Sequence, residues 1–177
     1  MKWKNIDCGA TYYYITSTFT QWIPLFNYKQ ILKIVCTEIT QATTECNAHI
    51  SAYVFMPEHL HLLVYLPEEG QLHRYCKLWR GRSARQITSY LDATKNEAML
   101  LRMVNHASGT AKYTVWKEQP RALAIITEQK LQEKVNYIHN NPIRRGLVAH
   151  PCEWKCSSWQ FYEGDGRSLL PITPWDI

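Results

Sequence analysis

Two short patterns in this 177-residue chain carry residue types able to do chemistry. The first is His59-Leu60-His61. Residues two apart on a strand share a face, so both imidazoles can bind one metal ion. With seven histidines, chance alone makes roughly 0.3 such pairs in a chain of this length, so spacing by itself decides little. The surrounding alternation says more. It sends Leu60, Leu62, Val64 and Leu66 to one face and leaves His59, His61, Leu63 and Tyr65 on the other. Two other uses of the pattern drop out. A nucleotide hydrolase with three alternating histidines needs a third at position 63, which is Leu63, and a barrel hydrolase needs more than 177 residues.

The second pattern is Asn136-Tyr137-Ile138-His139-Asn140-Asn141-Pro142. On a helix Tyr137 and Asn141 share a face at a spacing of four, as do Lys134 and Tyr137 at three. A tyrosine with an amide one turn away can supply a nucleophile and an oxygen ligand to the same metal. The plainer alternative is a packing tyrosine followed by an asparagine stop before proline. A third feature is the run Arg74, Lys77, Arg80, Arg82 and Arg85, interleaved with Tyr75 and Trp79. Its cations suit phosphates and its rings suit unpaired bases, although Trp79 serves equally as a core anchor.

The elements that must position these residues follow from periodicity. Tyr12 to Phe19 reads as a strand, and apolar residues recurring at three and four predict a helix over 28–46. Residues 47–56 and 59–66 form two strands joined around Pro57-Glu58, and 71–91 forms a long basic helix with a weak point at Gly81. Residues 92–109 are partly helical (98–104) and then loop, and 113–116 with 121–126 form short strands or a hairpin. Thr127 caps a last helix that must end at Pro142. The expected fold is α+β: a ferredoxin-like antiparallel sheet with helices on one face, plus an added C-terminal helix carrying the tyrosine. The other face is left free for a site. One domain spans 1–177, with a core over about 10–148 and an irregular tail over 149–177.

Charge and cysteine usage narrow the partners. Residues 71–121 hold ten Lys/Arg against three Asp/Glu, a net +7, whereas 1–70 carry −2 and 122–177 carry zero. Nearly the whole basic excess therefore sits in one segment, which favours a polyanion over a merely solvated helix. The six cysteines form no CxxC pair and read as reduced, mostly buried thiols. No apolar run is long enough to span a membrane, and residues 1–5 run into polar ones, so neither a secretory leader nor a membrane partner is expected. The expected location is the cytoplasm.

Taken in order, Tyr14-Ile15-Thr16-Ser17, Met56-Pro57-Glu58-His59-Leu60-His61-Leu62-Leu63, Lys77-Leu78-Trp79-Arg80-Gly81-Arg82-Ser83, Tyr137-Ile138-His139-Asn140-Asn141-Pro142 with Gly146-Leu147-Val148, and Trp154-Lys155-Cys156-Ser157-Ser158 cover most of the chain. Together they resemble the single-tyrosine HUH transposases, and most of all the REP-associated tyrosine transposase group. The resemblance implies that His59 and His61 bind a divalent metal, Mg²⁺ or Mn²⁺, that Asn141 adds a ligand, and that Tyr137 is the nucleophile. It implies nicking and strand transfer on single-stranded or hairpin DNA through a 5′-phosphotyrosine, with no nucleotide cofactor. Arg74, Lys77, Arg80, Arg82 and Arg85 are then the expected DNA contacts, with Arg144 and Arg145 flanking the scissile phosphate. Two rival readings stand beside this one: a non-catalytic single-strand-binding module, and a host-tamed relative that processes chromosomal repeats. Departures are Tyr13-Tyr14 where the group often has Tyr-His, Asn140 in place of an apolar residue, and a loose match over 93–125. A monomer is favoured over a homodimer, with tail aromatics Trp154, Trp159, Phe161, Tyr162 and Trp175 available to cover the partner surface.

Overall fold

The computed structural model describes residues 11–105, 111–117 and 119–174. Cys8, Trp175, residues 1–5 and the loop expected over 106–109 lie outside the described residues. The elements are β1 (Thr11–Thr18), α1 (Lys29–Glu45), β2 (His49–Met56), β3 (His59–Leu66), α2 (Gln71–Ala93), α3 (Glu97–Arg102), β4 (Arg121–Ile125), α4 (Glu128–Arg144) and a short helical turn α5 (Trp159–Tyr162). The four strands form one antiparallel sheet in the order β4-β1-β3-β2, the ferredoxin-like arrangement that the βαββαβ order calls for.

Strand alternation splits the core in two. Tyr13 and Ile15 of β1, with Leu60, Leu62, Val64 and Leu66 of β3, pack against Ile31, Val35 and Ile39 of α1 and Tyr75 and Trp79 of α2. Trp79 is thus a core anchor. The opposite sheet face is not open. Leu131, Val135 and Ile138 of α4 bury themselves there against Ala52, Val54, Met56, Leu63 and Ile125. Each such side chain contributes about 1.5–3 kcal/mol when fully buried, enough to hold a helix on a sheet.

A bulge makes this second core possible. Between Ile50 and Ala52 the β2–β3 register shifts by one residue, so Ser51 is extra. Ile50 therefore faces α1 and α2, while Ala52, Val54 and Met56 face α4. Ser51 is tied down instead by its hydroxyl donating to the Thr173 carbonyl and its carbonyl accepting from the Tyr162 hydroxyl. The tail runs along this outer β2 edge, with bridges from Ser157 to Val54 and from Ile172 to Ile50.

Three local expectations need correction. Tyr113 and Trp116 make only isolated bridges, to Val104 and Phe19, and β4 pairs with β1 instead of forming a hairpin with 113–116. Gly81 does not interrupt α2. Pro142 lies inside α4 and does not stop it. A proline this near a C-terminus forfeits one hydrogen bond, to the Ile138 carbonyl, and the turn beyond it closes anyway. Gly146, at φ +66°, ends the helix: its N–H donates to the Ile143 carbonyl and that of Leu147 to the Pro142 carbonyl, a Schellman closure. Thr127 caps the other end, accepting from the Lys130 N–H at 3.3 Å.

His139 fastens α4 to the tail and β2. Its Nε2 lies 2.9 Å from the Ser158 hydroxyl, which itself donates to the Tyr53 carbonyl and accepts from the Tyr53 N–H. Burial pushes this imidazole down from its ordinary 6.5 to about 4. The unfolded chain therefore binds this proton more tightly, and the contribution is whole above pH 6.5 and lost as pH falls towards 4. Urea melts between those pH values should show a stability slope smaller by about one proton in His139→Gln than in the parent. An unchanged slope would mean that His139 is not buried neutral.

Candidate functional site

The register of the sheet builds the site floor. On the α4 side one cross-strand row reads Val54, His61, Thr16, Arg121, and the next reads Met56, His59, Thr18. Both histidines are buried, 7% exposed for His59 and 5% for His61, with ring centroids 4.8 Å apart. The shared face expected from the His-x-His spacing is present. It is roofed by α4, which lays Tyr137 with its ring 5.7 Å from His61 and Asn141 in the same cleft. Because Pro142 leaves the last turn helical, the four-residue spacing keeps Tyr137 and Asn141 on one face. The cleft has a volume of about 290 Å³.

Each imidazole is held by its Nδ1. That of His59 lies 3.1 Å from Glu58 Oε1, and the same carboxylate oxygen accepts from Arg145 at 2.7 Å. That of His61 lies 2.7 Å from the Tyr14 hydroxyl and 2.8 Å from the Thr16 hydroxyl, with the Tyr14 ring stacked on it at 5.2 Å. Among the described residues neither Nε2 has a hydrogen-bond partner, and neither has the side-chain amide of Asn141, a residue only 4% exposed. The Asn141 amide lines the cleft, where it is open to a ligand. No three His, Cys, Asp or Glu gather into a metal cluster among the described residues, and the oxygens beside the His pair in the cleft come from Thr16, Thr18, Tyr137 and the Asn141 amide.

Electrostatics keep the donors neutral. Burial, then the neighbouring His59 and Lys134, pushes His61 down to about 3. Burial also lowers His59, outweighing the Glu58 carboxylate. Tyr14 is raised, chiefly by burial, and stays a neutral phenol. Cations surround the nucleophile candidate: Lys134 Nζ lies 5.6 Å from the Tyr137 ring centroid and the Arg144 guanidinium 5.2 Å.

The basic run divides differently from expectation. α2 packs on the α1 side of the sheet, across it from the His pair. Arg82 is paired with Glu45, and Arg80 donates to the Lys117 carbonyl. Arg74, Lys77 and Arg85 are exposed on that far layer. The cations at the cleft are instead Lys117, Arg121 and Arg145 on its walls, with Lys134 and Arg144 against Tyr137. Sequence reasoning gave no role to Tyr14, Thr16 and Thr18, although period-two alternation in β1 puts them on one face. Trp22 was also missed. It and Gln21 are consecutive non-glycine residues at φ 56° and 49°, a left-handed conformation that costs roughly 1–2 kcal/mol each.

Neutrality of the His pair is directly measurable. In an NMR pH titration His61 should remain neutral down to about pH 4, because a depressed basic group charges only near its lowered value. A midpoint near 6.5 would contradict the buried placement.

Comparison with known proteins places the chain in a family. The IS200-like transposase family matches residues 11–141. A REP-associated tyrosine transposase of Escherichia coli K12 is 26% identical over 123 residues, 70% of this chain and 60% of that protein. This chain therefore spans less than two thirds of that relative's length. A solved structure of a REP-associated tyrosine transposase bound to a REP hairpin has a similar fold, with a TM-score of 0.67 at 19% identity over 100% of this chain and 92% of the other. With most of its length matched, from the first strand to the asparagine beside the His pair, the chain belongs to the IS200-like transposase family.

Proposed function

We propose that this chain nicks and rejoins single-stranded DNA next to a hairpin, using Tyr137 as nucleophile and a divalent cation, Mg²⁺ or Mn²⁺, held by His59, His61 and Asn141. The observation that carries the reading is the convergence of two buried imidazoles with unengaged Nε2 atoms, a buried unpartnered amide and a half-buried tyrosine in one cleft. Family membership supports it, as does the relative named a REP-associated tyrosine transposase.

The donor set fits such a cation. With Nδ1 of His59 against a carboxylate and that of His61 against hydroxyls, each ring has Nε2 for a ligand bond, the arrangement that outer partners enforce at many metal sites. Two neutral imidazoles plus oxygen suit Mn²⁺ well and Mg²⁺ adequately. When bound, the cation supplies Lewis-acid polarisation of the scissile phosphate.

This chain's own residues do the rest. Tyr137 Oη attacks phosphorus in line, the bond from phosphorus to the 3′-oxygen breaks, and the phosphate stays esterified to Tyr137. The phenolic proton is lost, and the departing 3′-oxygen gains one to leave as a hydroxyl. Lys134 and Arg144, against the Tyr137 ring, offer positive charge to the non-bridging phosphate oxygens as charge shifts. The ester retains the bond energy, so a second 3′-hydroxyl can reverse the attack without a nucleotide cofactor. Lys117 and Arg121 guide the strand into the cleft, and Arg74, Lys77 and Arg85 on the far layer hold the flanking duplex. His59, His61, Tyr137 and Asn141 line one cleft of one chain, which supports a monomer.

Incubated with a labelled hairpin oligonucleotide and Mn²⁺, the protein should form a denaturation-resistant adduct that Tyr137→Phe abolishes while hairpin binding persists. An adduct surviving that change would remove Tyr137 from the role, and metal-independent binding without any adduct would favour a non-catalytic binding module. Lys117→Ala and Arg121→Ala should each reduce the salt slope of binding by about one. Slopes equal to the parent's in both variants would move the phosphate path elsewhere.

A further inference from the structure

We infer that Trp22 and Lys117 form a nucleobase subsite at the end of the cleft away from Tyr137, which stacks the base of the nucleotide whose 3′-hydroxyl leaves. This rests on the DNA-cleavage reading above and specifies which nucleotide is held where.

The segment is built to present one ring. Phe19 and Ile23, both fully buried, pin its ends. The backbone leading into the turn is fastened on two sides, with the Phe19 N–H donating to the Glu58 carbonyl, Thr20 N–H to the Val115 carbonyl and Lys117 N–H to the Thr18 carbonyl. The turn itself closes with the Trp22 N–H on the Phe19 carbonyl and the Ile23 N–H on the Thr20 carbonyl. These bonds enclose the left-handed pair Gln21 and Trp22. The residue held this way is the largest side chain available, and it stays 55% exposed, so the core does not explain it. Lys117 Nζ lies 4.2 Å from the centroid of its ring, and the ring stands T-shaped to that of His59, with centroids 6.3 Å apart.

The order along the cleft sets the ligand. Ring contacts run Trp22, His59, His61, Tyr137. A phosphate over the His pair, attacked in line from Tyr137, expels its 3′-oxygen to the opposite side, which is the Trp22 end. An unpaired base there can stack on the indole, and the Lys117 ammonium beside it can meet the next phosphate.

The test uses the full chain carrying Tyr137→Phe, so that cleavage does not disturb binding, and a fluorescein-labelled hairpin oligonucleotide with single-stranded flanks. An abasic site is moved along the flanks, and affinity is compared for Trp22, Trp22→Phe and Trp22→Ala. One position should cost about tenfold when abasic in the Trp22 and Trp22→Phe proteins and about twofold or less in Trp22→Ala. Adduct mapping with the parent should place that position immediately 5′ of the scissile phosphate. Abasic losses that are identical with and without the indole at every position would overturn the subsite, as would coupling on the 3′ side of the scissile phosphate. Coupling at one position without any parental adduct would keep the base platform and overturn the cleavage reading instead.

Discussion

The site depends on one packing event, the burial of Leu131, Val135 and Ile138 of α4 against the face of the sheet that carries the His pair. Without it Tyr137 and Asn141 have no fixed relation to His59 and His61, since they are separated by some seventy residues of chain and by the whole of α2. The apolar stripe and the chemical stripe share one helix. Residues 131, 135 and 138 face the sheet, and 134, 137, 141 and 145 lie towards the cleft. The docking is seated twice more, by His139 on Ser158 of the tail and by Arg145 on Glu58 in the turn just before β3, so the C-terminal end of α4 is tied down on both sides of the cleft's strands.

Charge and neutrality are sorted by depth. The imidazoles at the bottom are kept neutral by burial, which is the state a ligand nitrogen needs. The cations Lys117 and Arg121 stand at the rim, exposed to solvent. Glu58 belongs to both levels: one of its oxygens holds the His59 ring from below and the Arg145 guanidinium from the side. A lone buried carboxylate beside a buried neutral imidazole would be expensive, and the guanidinium offsets that cost.

Much of this was legible in the sequence because period and burial agree there. In β3 strict alternation gave the two faces correctly, and in α4 the spacings of three and four placed Lys134, Tyr137 and Asn141 together. Legibility failed where a local rule was overridden by a neighbour. Ser51 shifts the phase of β2, so its facing residues change side midway and no single alternation describes it. Pro142 reads as a stop, yet one missing donor in a final turn is tolerable when Gly146 closes the helix four residues later. The charge of α2 was visible but not the side of the sheet on which it lies, because that is fixed by Tyr75, Trp79 and Ile87 packing under α1. The rim charges Lys117 and Arg121 come from the same basic segment and were overshadowed by the helix before them. Trp22 gave no signal, since a strained turn leaves no period to read.

The central claim is that α4 completes the site of its own chain. A mixing experiment tests it most directly: a His59→Ala/His61→Ala chain combined with a Tyr137→Phe chain, incubated with hairpin DNA and Mn²⁺, and compared with parental protein that forms the covalent adduct. If each chain builds its own site, the mixture contains no complete one and no adduct forms. Recovery of the adduct in the mixture would show that the tyrosine of one chain serves the histidines of another, and would contradict the docking of α4 on its own sheet.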